Sequence, residues 1–145
     1  MITIDKLQIP NKEYSTLILI DENSNFGHFL LNPEQEGYIR NQYKENKRDF
    51  FAFNNLDNYL IVIVFPIKKT GYETIENLRV LGSKALDFFD KEHIKAINLM
   101  GGISKEEILG FCEGVSLASY CFDNYKTDPE RIIHPFDHIS IIHDD

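Results

Sequence analysis

Seven successive residues, Tyr59-Leu60-Ile61-Val62-Ile63-Val64-Phe65, are apolar, and Pro66 ends the run. Side chains of a strand point alternately to its two faces. A run without polar alternation therefore sends apolar groups both ways. Such a strand belongs at the centre of a sheet, covered on both sides. Phe50-Phe51-Ala52-Phe53 lies just before it, across an Asn54-Asn55-Leu56-Asp57-Asn58 cluster. Two apolar runs around an Asn/Asp cluster predict a β-hairpin.

The rest of the chain supplies the cover. Leu17-Ile18-Leu19-Ile20 is a short apolar run ending at Asp21 and reads as a strand. Residues 21–33 are rich in Asn, Asp, Ser and Gly and read as a loop that could carry a short strand at 27–31. Residues 34–48 are polar, with Tyr38, Ile39, Gln42 and Tyr43 on one helical face, which predicts an exposed amphipathic helix. Residues 72–93 form a long helix whose apolar stripe is Ile75, Leu78, Leu81, Gly82, Ala85, Leu86 and Phe89. Gly82 costs about 1 kcal/mol against Ala in mid-helix, and close packing on a sheet is the expected reason.

Ala96-Ile97-Asn98-Leu99-Met100 is a strand, and Gly101-Gly102-Ile103 turns the chain. Ser104 opens the second long helix, with Glu107 completing an S-x-x-E capping box. Its buried stripe is Ile108, Phe111, Cys112, Val115, Ala118 and Phe122, and Thr127-Asp128-Pro129 stops it. His138–Ile142 is a last strand. Strands alternating with long helices define an α/β fold. The hairpin makes the sheet mixed, and helices should cover both faces.

At 145 residues the chain reads as one domain, 1–145, and 43% apolar content is enough for a core. The net charge of −8 argues against general nucleic-acid binding and against docking on anionic membrane. The expected partners therefore include no nucleic acid and no membrane. No run approaches a membrane span. Met1 to Lys6 lacks a basic region leading into an apolar core, so no signal peptide is expected. Cys112 and Cys121, the two cysteines, lie nine apart on one helix and cannot bridge each other. Free thiols suit a reducing cytoplasm.

The Gly101-Gly102-Ile103-Ser104 turn follows a strand and opens a helix, where free N–H groups can hold phosphate or carboxylate. Gly101, Gly102 and Ser104 are the candidate ligand-binding residues. The turn lacks G-x-G-x-x-G spacing and a Walker lysine, and two glycines also suit a tight connection. His134, His138 and His143 cluster with Asp137, Asp144 and Asp145, yet their spacing fits no established zinc pattern. They read as a solvated acidic tail. Cys112 lies on an apolar stripe, where a thiol is inert. No serine sits in G-x-S-x-G, and Glu106 and Glu107 are accounted for by the helix dipole. Residue chemistry alone offers no catalytic or metal-binding constellation.

Residues 113–126 carry more. Glu113, Gly114, Leu117, Tyr120, Phe122, Asp123, Tyr125 and Lys126 follow an E-G-x-x-L-x-x-Y-x-F-D-x-Y-K pattern. This resembles the helix that ends the N-terminal domain of the leucyl (cytosol) aminopeptidase family. Arg79 and Gly82 resemble the R-x-x-G element of that family's preceding helix. The resemblance implies a non-catalytic N-terminal domain, three-layered and macrodomain-like, from a cytoplasmic protein. It implies a partner, a catalytic domain on the same or a separate chain, and a homo-oligomer, hexameric in the family. The family's two divalent metals, zinc or manganese, belong to the catalytic domain, whose N-T-D-A-E-G-R signature has no counterpart here. No cofactor is therefore expected in this chain. Asp144-Asp145 after a strand resembles a domain boundary.

The implied role is assembly, substrate access or regulation around the catalytic domain, with Glu113, Gly114, Tyr120, Asp123, Tyr125 and Lys126 as family-motif or interface residues. The alternative is a free-standing macrodomain-like binder of ADP-ribose or another nucleotide. A further reading is an interaction module anchored by Tyr120 and Tyr125.

Overall fold

The computed structural model describes residues 2–23, 31–68, 70–101, 104–125 and 136–142, with side chains in the third long helix described as far as Ser119. The elements run β1 (Thr3–Leu7), β2 (Ser15–Asp21), α1 (Pro33–Asn46), β3 (Phe50–Asn54), β4 (Tyr59–Phe65), α2 (Gly71–Lys91), β5 (Ala96–Gly101), α3 (Lys105–Tyr125) and β6 (His138–Ile142). Six strands form one sheet in the order β1-β6-β5-β2-β4-β3. All neighbours are parallel except the β3–β4 hairpin, so the sheet is mixed.

Alternation across the strands explains the apolar runs. Ile61, Ile63 and Phe65 of β4 point to one face, where they meet Leu17 and Leu19 of β2 and the stripes of α2 and α3. Leu60, Val62 and Val64 point to the other, where they meet Ile18, Ile20, Phe51 and Ile39 of α1. The molecule is thus a three-layer α/β fold, with α2 and α3 on one face and α1 on the other. Burying either set of side chains contributes roughly 1.5–3 kcal/mol per large residue.

Local signals fix the helix ends. Asn32 caps α1 by accepting from Gln35 N–H at 2.8 Å, while the Gln35 side chain accepts from Asn32 N–H at 3.1 Å. Pro33 occupies the first helical position, where its missing N–H costs nothing. Lys47 ends the helix in the left-handed region at φ 55°. Thr70 caps α2 through Glu73 N–H. Ser104 and Glu107 form the expected reciprocal cap of α3, both bonds at 3.2 Å.

Three findings differ from the sequence reading. β1 is a strand that periodicity does not announce, because Thr3-Ile4-Asp5-Lys6-Leu7 sits at a sheet edge and is half exposed. Gly82 packs on helix α3 rather than on the sheet: a Cβ there would overlap Phe111 O and lie 3.0 Å from Val115 N. His138 belongs to no solvated tail: it sits on β6, its ring 3.0 Å from Asp5 Oδ2 and 5.7 Å from the Tyr14 ring. The strand suggested at 27–31 lies largely outside the described residues.

Candidate functional site

Residues 113–126 begin at a helix crossing. α2 and α3 run side by side and touch backbone to backbone at Gly82 and Gly114, with Gly110 against the Ile75 side chain. A Cβ on Gly114 would overlap Arg79 O and lie 2.7 Å from Arg79 Cα. One on Gly110 would lie 2.9 Å from Ile75 Cγ2. Gly82 makes the reciprocal approach to Phe111 and Val115. Only glycine permits this spacing, so helix propensity is given up for proximity.

The polar motif residues close the same crossing on its solvent side. Arg79 donates to Glu76 on its own helix and to Glu113 of α3, the latter at 3.3 Å. Burial alone would lower the Arg79 pKa, but Glu113 and then Glu76 outweigh it and raise the value. The guanidinium is held charged, as a fastener should be. Arg79, Gly82, Glu113 and Gly114 therefore act together, each helix offering a glycine to the other's backbone. Both helices are half-open to solvent above this point, where Val80, Leu109 and Leu117 are exposed.

The other candidate residues fall as follows. Gly101 ends β5 and Ser104 caps α3, both at the carboxyl end of the parallel strands, where α/β folds place ligands. Gly102 lies outside the described residues. The cap already uses Ser104 N–H and Glu107 N–H, and Glu106 and Glu107 bring negative charge to the helix start. An incoming anion would compete with both carboxylates. Tyr120, Asp123 and Tyr125 lie on the last turns of α3, where the backbone alone is described, and Lys126 lies outside the described residues.

Cys112 is 1% exposed, and burial pushes its thiol up to about 12. A thiol so protonated is no nucleophile near neutrality. Among the described residues no group of three or more His, Cys, Asp or Glu side chains converges as a metal ion would require. No helix among the described residues is long and apolar enough to cross a membrane.

Sequence reasoning missed a depression of about 490 Å³ at the amino ends of β2, β4 and β5. Tyr59 donates to Glu92 Oε2 at 2.8 Å on its wall, and that bond is the first cause of a raised Tyr59 pKa. His93 follows with φ 57°. Tyr59 opens a strand and Glu92 ends a helix, so no local spacing links them. Asn58 and Asn98 nearby are spent on backbone bonds to the 11–14 loop.

The fold defines the class: a three-layer α/β domain built on a six-stranded mixed sheet. No family model matches the chain, and no curated protein matches it. Among solved structures it is similar to a point mutant of tomato leucine aminopeptidase, with a TM-score of 0.65 at 14% identity. The match covers 100% of this chain and 33% of that one, so this chain spans about a third of that aminopeptidase's length. At such identity the likeness establishes the fold: this chain folds like the N-terminal region of leucine aminopeptidase.

Proposed function

We propose that this chain is a non-catalytic domain of leucyl-aminopeptidase type, acting in the assembly or regulation of a catalytic domain on the same or another chain. The catalytic domain would carry the two divalent metals, zinc or manganese, and release N-terminal amino acids by two-metal hydrolysis. This domain would contribute no metal ligand. Its setting would be the cytoplasm, within an oligomer.

The observation that supports this reading is that the whole chain matches the fold of about a third of a leucine aminopeptidase. It is supported by the helix crossing, where the motif residues Arg79, Gly82, Glu113 and Gly114 meet. The test is direct. The purified chain, supplied with zinc or manganese, is expected to leave leucine p-nitroanilide intact. Added to the source organism's aminopeptidase catalytic domain, it is expected to co-elute and to change the rate. Hydrolysis by the chain alone would overturn the non-catalytic assignment. The nucleotide-binding alternative would instead give saturable heat on titration with ADP-ribose.

A further inference from the structure

The sheet's two outer strands are unlike. β1 carries Asp5 and Lys6 within five residues, charges of the kind that discourage edge pairing. β3 reads Phe50-Phe51-Ala52-Phe53-Asn54, with no charge and no proline, and lies at the other end of the strand order. Among the described residues its outer side has no strand partner.

The hairpin register says which backbone groups are free there. Val64 N–H bonds Asp49 O at 2.9 Å, and Asn55 N–H bonds Asn58 O at 2.9 Å. Antiparallel bonding alternates, so Asp49, Phe51, Phe53 and Asn55 face β4. Phe50, Ala52 and Asn54 therefore turn their N–H and C=O groups outward.

We propose that β3 pairs antiparallel with β3 of a second copy of this chain about a two-fold axis at Ala52. This register uses every outward group, giving about six backbone hydrogen bonds, and shifted registers use fewer. The F-A-F sequence is palindromic about Ala52, so Phe51 of each copy lies opposite Phe53 of the other. Ala52 is exposed, and its small side chain is the one that meets itself on the axis. Charge agrees as well. The exposed cation Lys47 precedes β3 and the exposed anion Asp57 follows it, so the antiparallel arrangement brings each Lys47 toward Asp57 of the second copy. The inference rests on the sheet's geometry and stands apart from the aminopeptidase reading.

Sedimentation equilibrium over a concentration series reaching about 1 mM tests it, a range suited to a small interface. The wild-type chain is expected to form a dimer. Ala52→Lys, which sets two ammonium groups opposite each other on an exposed site, is expected to weaken the dimer at least about tenfold with unchanged circular dichroism. Lys47→Glu is expected to weaken it, and the double variant Lys47→Glu with Asp57→Lys to restore it. A wild-type chain that stays monomeric throughout would overturn the proposal. So would a folded Ala52→Lys protein that dimerises as well as the wild type.

Discussion

Gly114 and Gly37 are both helical glycines, and their surroundings oppose each other. A Cβ on Gly114 collides with the Arg79 backbone, which cannot step aside, whereas one on Gly37 meets nothing within 4 Å. Gly114→Ala is therefore expected to destabilise the fold by about 3 kcal/mol, by forcing α2 from α3. Gly37→Ala, on the exposed face of α1, should stabilise by about 1 kcal/mol through helix propensity. Urea denaturation of the two variants checks both signs. Cys112 gives a pH prediction. Its folded pKa is raised to about 12, so the folded state holds the proton more tightly than the unfolded chain. Its contribution is complete below the ordinary thiol pKa of about 8.5 and is lost as pH rises from there toward 12. The contribution of this thiol to the wild-type urea midpoint should therefore be constant near pH 7 and should fall above about pH 9, a fall that Cys112→Ala lacks. Iodoacetamide should leave Cys112 unmodified in the native chain at pH 7.5 and modify it in urea.

At the scale of elements, the α3 cap joins sequence motif to stability. Ser104→Ala removes the acceptor for Glu107 N–H and is expected to cost about 1 kcal/mol, read as a shift in thermal midpoint. Most elements were legible because their signals are local. The β4 run, the α2 stripe and the S-x-x-E cap each need only a few neighbouring residues. β1 was not, since an edge strand has no continuous apolar face and its partner β6 lies at the far end of the sequence. The neighbour of Gly82 is hidden from the sequence for a related cause. A glycine marks close approach, but which backbone approaches depends on how α2 lies against α3, and no spacing within α2 encodes that. The Asp5–His138 contact likewise joins residues from opposite ends of the chain.

At the scale of the molecule, the helix crossing ties the motif to the architecture. The sequence offers Arg79, Gly82, Glu113 and Gly114 only as a resemblance; their physical role, a backbone-to-backbone contact fastened by an ion pair, needs three dimensions. The α3 cap is legible in the sequence as an S-x-x-E pair, and Ser104 and Glu107 form it in the structure. The proposed function places this domain beside a peptidase catalytic domain. Native mass spectrometry of the endogenous product, with its components sequenced, tests that most directly. The expected product is a species in which the chain is joined or bound to a metal-dependent peptidase domain. A product found only at 16.9 kDa or at whole multiples of it, with no peptidase component, would contradict the claim.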